Sequence, residues 1–198
     1  MNEQHLTTHL EVLTYQMSKQ GKDCCGDSYV IVTEQDYAVL AIADGLGSGA
    51  GAKDSSEVIT KVIKQYHNED IHSLIHRCND SLRSKRGAAV TVVKIFFKLN
   101  EIVYAGIGNI KFILISPDGK TTYPLPKMGF LSGKPISFQI QRFSYEADSL
   151  FMMNSDGIKM LSSKELISFS YSLSDCIDYI DRKNDKTDDA TLLVGKIT

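Results

Sequence analysis

Residues 10–17 (Leu-Glu-Val-Leu-Thr-Tyr-Gln-Met) alternate loosely between apolar and polar, a pattern that predicts a strand. Residues 28–33 and 37–43 predict two more, split by Glu34-Gln35-Asp36 as a turn. The second of these, Tyr-Ala-Val-Leu-Ala-Ile-Ala, is apolar on both faces. It is expected to be buried and to end with Asp44 at the rim of its sheet. The period then changes. Val58, Ile59, Val62, Ile63 and Tyr66 recur at helical spacing over residues 51–67, and Ile71, Leu74, Ile75, Cys78 and Leu82 do so over 70–84. Asp70 suits the N-cap of the second helix. The short join His67-Asn68-Glu69-Asp70 suits an antiparallel helix pair. Strands are predicted again at 88–98, 101–107 and 110–116, with Leu99-Asn100-Glu101 and Gly108-Asn109 as hairpin turns and Pro117-Asp118-Gly119-Lys120 as a further turn. Residues 124–136 hold three of the four prolines and read as an ordered loop. Strands at 138–145 and 149–154, helices at 163–169 and 173–183 and a last strand at 190–197 complete the pattern. Antiparallel runs with a helix pair predict an α+β fold, two packed sheets with helices outside.

Four aspartate patches lie beside turns at the ends of these apolar runs: Gly26-Asp27-Ser28, Ala43-Asp44-Gly45-Leu46-Gly47-Ser48-Gly49, Asn154-Ser155-Asp156-Gly157 and Asp188-Asp189-Ala190-Thr191. One Asp-Gly is a common turn dipeptide and means little. Four patches at strand ends suit a hard divalent cation, because Mg²⁺ and Mn²⁺ take oxygen ligands. A glycine after an aspartate allows a sharp turn and can offer its carbonyl.

Composition narrows the rest. The 198 residues fit one domain, taken as 1–198. A net charge of −2 gives no reason to expect nucleic acid or an anionic membrane as partner. No apolar run approaches a spanning helix, and Met1-Asn2-Glu3-Gln4-His5 lacks a secretory pattern, so a cytoplasmic location is expected. Cys24, Cys25, Cys78 and Cys176 form no Cys-x-x-Cys, which argues against zinc. Cys25, two residues from Asp27, could sense oxidants, but an inert thiol is the expectation.

The order of the patches resembles the metal-dependent protein serine/threonine phosphatases of the PPM family, over about residues 10–197. The short bacterial branch that resets the stressosome in general-stress sigma-factor control is the nearer likeness. It is carried also by Lys85-Arg86-Gly87-Ala88, Gly108-Asn109, Tyr123-Pro124-Leu125-Pro126 and Leu131-Ser132-Gly133-Lys134-Pro135. The resemblance implies a sandwich of two antiparallel sheets flanked by helices, with two cations, Mn²⁺ or Mg²⁺, at one edge. It implies that Asp44 bridges them with the Gly45 carbonyl adding a ligand, that Asp156 and Asp188 hold one cation, and that Asp27 holds the other through water. Asp189, where many relatives have Asn, is placed behind the ligands. A hydroxide between the cations would attack the phosphate. Phosphorylated STAS-domain proteins of the stressosome would be the substrates, dephosphorylated as negative feedback.

Two departures stand out. Leu46 follows the Asp-Gly where eukaryotic-type relatives carry a His, a candidate general acid. No Arg precedes Arg77, so the phosphate clamp many relatives supply near the N-terminus is unassigned. His72 and His76, four apart on a helix, could bind metal, but an exposed helical face explains them. Lys85-Arg86 could meet a phosphoprotein, but solvated charges at a helix end explain them better. Two rival readings are a non-catalytic binding module on the same fold, which loss of a metal aspartate would favour, and a small-ester phosphatase working through phospho-aspartate. The latter usually needs an Asp-x-Asp nucleophile motif, which none of the patches supplies.

Overall fold

The computed structural model describes residues 2–198. In chain order the elements are β1 (Asn2–Leu6), β2 (Leu10–Met17), β3 (Asp27–Thr33), β4 (Tyr37–Gly45), α1 (Ala50–Tyr66), α2 (Ile71–Ser81), β5 (Ala88–Phe96), β6 (Glu101–Ile107), β7 (Lys111–Ile115), β8 (Thr121–Thr122), β9 (Gln141–Ser144), β10 (Ser149–Asn154), α3 (Ser163–Ser168), α4 (Leu173–Lys183) and β11 (Ala190–Ile197). One sheet has the order β1-β2-β11-β10-β7-β8 and the other β3-β4-β5-β6-β9. Neighbouring strands within each sheet are antiparallel.

The strand period of two sorts side chains into layers. Along β4, Ala38, Leu40 and Ile42 enter the core between the sheets with Leu10, Phe112, Phe151 and Leu193. Val39, Ala41 and Ala43 point the other way, onto Ile59 and Ile63 of α1 and Ile75 and Cys78 of α2. The second sheet does the same. Ile113, Met152, Leu192 and Val194 leave the sandwich to meet Leu166 of α3 and Leu173, Ile177 and Ile180 of α4. Four layers result: helices, sheet, sheet, helices. Strand β4 reads as apolar on both faces because it has a dry layer on each side.

The helix starts are set locally. Asp70 caps α2 by accepting from the Ser73 N–H at 3.0 Å. Ser162 and Glu165 form a reciprocal capping box on α3. Helix α1 has Gly49 at its N-cap with φ 73° and no side-chain cap, so its first turn is shaped by the glycine run.

Three elements differ from the sequence reading. Strand β1 lies outside the predicted set. It pairs with β2 at the sheet edge, and Leu6 is exposed, so no buried face imposes alternation. The predicted 138–145 strand shortens to β9, because only 141–144 finds a partner, on β6. The two-residue β8 falls within a stretch read as turn and connection.

Candidate metal centre

Each sheet brings two aspartate patches to one edge. Strands β3 and β4 pair in a register that sets Asp27 directly opposite Asp44. In the other sheet, Asn154 at the end of β10 faces Leu192 near the start of β11. The turn carrying Asp156 and the entry carrying Asp188 and Asp189 therefore emerge side by side. All five aspartates line one open cleft of about 430 Å³.

Glycines let these patches interlock. A Cβ on Gly45 would overlap the Ala52 carbonyl oxygen, so α1 packs straight onto the Asp44-Gly45 turn. A Cβ on Gly157 would overlap the Asp189 carbonyl, and one on Gly26 would stand 2.7 Å from Asp189 Oδ2. Asp189 is thus pressed against two other patches. It is buried, and its Oδ1 accepts from the Lys19 N–H at 2.9 Å. These contacts hold Asp189 in place while it lines the cleft.

Ser155 ties the sheets together beneath the cleft. Its hydroxyl donates to Asp27 Oδ2 at 2.6 Å and accepts from the Thr191 N–H at 2.9 Å, while its own N–H donates to the Thr191 carbonyl at 3.0 Å. Gln16 Nε2 donates to the Asp27 carbonyl at 3.2 Å and to Thr191 Oγ1 at 3.1 Å. Asn109 Nδ2 donates to Asp156 Oδ2 at 2.7 Å. Asn109 in the sequence looked like a turn residue, and nothing local separates the two roles.

The electrostatics are those of crowded carboxylates. Burial, then repulsion from Asp27 and Asp156, pushes the Asp44 carboxyl up to about 8. Burial raises Asp27 to about 6, with Asp189 and Asp156 adding repulsion and the Ser155 hydroxyl opposing it. Among the described residues, no trio of His, Cys, Asp or Glu side chains stands closed as a ready cage. Mutually repelling carboxylates are expected to sit apart until a cation joins them, and Mg²⁺ keeps several waters. An oxygen-only donor set whose crowded charges a cation would neutralise fits a hard divalent cation.

A pH dependence follows. Both carboxyls hold protons more tightly in the fold than in the unfolded chain, where an aspartate titrates near 3.8. Over the window from about 4 to about 8 the folded state binds more protons, so stability falls as pH rises. Below that window the penalty vanishes because both states are protonated. The metal-free protein is expected to melt lower at about pH 8.5 than at about pH 5.5, and Mn²⁺ to raise the melting temperature more at the higher pH, where fewer protons must leave. Differential scanning calorimetry in chelator and in Mn²⁺ checks this. A melting temperature that rises across the window in chelator would contradict it.

The other candidates fall elsewhere. The rings of His72 and His76 pack at a tilt against each other and against Phe138, at 4.5, 5.4 and 5.5 Å between centroids. His67 Nδ1 shares a hydrogen bond with the Tyr37 hydroxyl at 3.0 Å. His9 stacks on Phe97. The cleft lining contains no histidine. The Cys25 thiol is pushed up to about 12 by burial and by Asp27, which agrees with an inert thiol. Lys85 is half-buried and paired with Asp54 on α1 at 2.6 Å, so it is not the solvated charge that the sequence suggests.

The chain is similar to known proteins along nearly its whole length. The family model described as stage II sporulation protein E (SpoIIE) matches residues 34–198. The phosphoserine phosphatase RsbX of Bacillus subtilis (strain 168) is 36% identical over 191 residues, 96% of each chain. A crystal structure of RsbX in complex with magnesium matches with a TM-score of 0.94 at 35% identity, covering 100% of both chains. A chain solved in work on the bacterial stressosome as a modular system matches with a TM-score of 0.87 at 26% identity, over 94% of this chain and 99% of its own. The catalytic domain of the phosphatase PstP, solved with two manganese ions, shares the fold at 15% identity, with a TM-score of 0.76 over 96% of this chain and 99% of its own. The sandwich, the gathered aspartates and these matches lead to one assignment: the chain belongs to the SpoIIE family of PPM-type phosphatase domains.

Proposed function

We propose that the chain is a Mn²⁺- or Mg²⁺-dependent phosphoserine/phosphothreonine protein phosphatase. We further propose that its substrates are phosphorylated STAS-domain proteins of a bacterial stressosome, acted on in the cytoplasm as negative feedback. The observation that carries the chemistry is the convergence of aspartates from both sheets on one cleft, with Asp27 opposite Asp44. The likeness to RsbX, a phosphoserine phosphatase solved with magnesium, and to a stressosome chain supports the substrate.

In this reading Asp27, Asp44, the Gly45 carbonyl, Asp156 and Asp188 would hold two divalent cations, which would supply a water of lowered pKa and an offset for the phosphate's charge. The protein's own groups do the rest. Ser155 fixes the Asp27 carboxylate through the 2.6 Å hydrogen bond, and Asn109 orients Asp156. Asp189 holds the Lys19 backbone and packs under the Asp156-Gly157 turn. Leu46 gives no acid at the cleft, so leaving-group protonation falls to water.

Intact-mass spectrometry of a serine-phosphorylated STAS-domain protein, incubated with the enzyme and Mn²⁺, tests the activity. Loss of the phosphate with the protein otherwise intact is expected. A mass unchanged at stoichiometric enzyme refutes the reading. The absence of histidine from the cleft gives a second expectation. Each of His5→Ala, His9→Ala, His67→Ala, His72→Ala and His76→Ala should keep kcat on this substrate within about tenfold, because loss of a general acid costs about 10²–10⁴. One histidine whose removal costs a hundredfold in a folded, metal-loaded variant would overturn the assignment.

A further inference from the structure

The cleft floor is acidic, but one side of its rim is basic and apolar. From Gly119 to Tyr145 there is no Asp or Glu; of its cations Lys127 adjoins the cleft residue Met128, while Lys120 and Arg142 lie toward the far ends of their sheets. From Ser81 to Asn100 the acidic residues are again missing. Several of the cations there are matched from outside: Arg83 by Asp80, Lys85 by Asp54 and Arg142 by Glu101. Among the described residues Arg86, by contrast, meets no carboxylate, and its Nη1 donates to the Ser48 carbonyl at a long 3.5 Å. Its guanidinium lies over the first turn of α1. A Cβ on Gly51 would come within 2.6 Å of its Cζ and Nε, and one on Gly47, a cleft residue, within 3.2 Å of Nη1. Gly51 has no positive φ, so its missing side chain gives room to the arginine rather than freedom to the backbone.

The loop after β8 runs along the same side. It is pinned at both ends of its central stretch. Lys127 exchanges backbone bonds with Gly106 and Gly108 at 2.8 Å each, and Leu131 with Ala88 at 2.9 and 3.0 Å. Asn79 Oδ1 accepts from the Ser132 and Gly133 N–H groups. Between and beside these pins, apolar side chains face water: Leu125 is 70% exposed, Met128 82% and Phe130 46%. Met128 lines the cleft, and Phe130 and Leu46 both close on Gly87, the neighbour of Arg86. One exposed apolar residue is ordinary, but three within six positions on a fixed loop beside a cleft form a surface.

We propose that Leu125, Met128 and Phe130, with Arg86 beside them, form the docking surface for a folded phosphoprotein whose flank next to the phosphorylated residue is apolar and acidic. The inference rests on the phosphatase reading for the identity of the partner. Its physical basis is the charge contrast between floor and rim. The floor takes cations, while the unmatched guanidinium at the mouth is free for an anionic group by a charge-assisted bond. Leu125 and Phe130 lie outside the cleft lining, so they would meet the body of a protein substrate rather than its phosphorylated residue.

The test compares a phosphorylated STAS-domain protein with a short phosphoserine peptide of the same site, both with Mn²⁺. Leu125→Ser/Phe130→Ser is expected to raise KM for the protein about tenfold or more, with kcat for the protein and KM for the peptide each within about twofold. Arg86→Glu should raise KM for the protein at least as much, and the rise should shrink as salt is added, which a merely structural role would not produce. Unchanged protein KM in either variant overturns the proposal, as does a parallel rise for protein and peptide in the double serine variant. If the parent hydrolyses neither substrate, the phosphatase reading falls by itself. Calorimetric titration of the same phosphoprotein into the Mn²⁺-loaded parent and variants then decides the docking surface by the same tenfold criterion.

Discussion

Asp44→Asn is expected to lower kcat on a phosphoserine protein by on the order of 10² or more, and to cost far more than Asp189→Asn. Asp44 sits in register with Asp27 and feels three other carboxylates, Asp27, Asp156 and Asp188, which supports the proposed role of a ligand shared between cations. An amide there keeps the shape and loses the charge. Asp189 is pressed against Gly26 and Gly157 and accepts from the Lys19 N–H, a bond that an Asn oxygen can still accept. The two variants should also differ in stability without metal. Removing the Asp44 charge relieves repulsion, so that variant should melt above the parent at about pH 8.5 in chelator. Steady-state kinetics and calorimetry on both variants check this pair of results. Equal kcat in the two, with both folded, contradicts the roles given to them.

Most of the fold is legible in the sequence where burial imposes a period. Strand β4 is apolar on both faces because layers cover both sides, and α1 and α2 show their buried stripes at helical spacing. Strand β1 is illegible because it is an edge strand with no buried face, and β8 because two residues carry no pattern. The five aspartates stand out because each lies beside a turn at a strand end. Their supports do not. Ser155 reaches Asp27 across the sandwich, and Asn109 reaches Asp156 from another turn, contacts between distant parts of the chain that no local spacing encodes. Arg86 looked like a helix-end charge for the same reason. Its seat is made by Gly47 and Gly51, which belong to a different segment.

The second large effect concerns the cations. Phosphate monoesters hydrolyse extremely slowly without a catalyst, and a cleft lined by five aspartates repels a phosphate dianion unless its charge is offset. Without cations the chain has neither an activated water nor a way to hold the substrate, and burial together with repulsion keeps Asp44 partly protonated near neutral pH. Removing metal should therefore abolish turnover rather than reduce it, while the layered core keeps the protein folded. The decisive measurement is phosphate release from a serine-phosphorylated STAS-domain protein, first in EDTA and then after Mn²⁺ or Mg²⁺ is restored in excess. The expected result is no release above the uncatalysed background in EDTA and full recovery with the cation. Undiminished release in EDTA would contradict the assignment of the aspartate cleft as a metal-dependent phosphatase site.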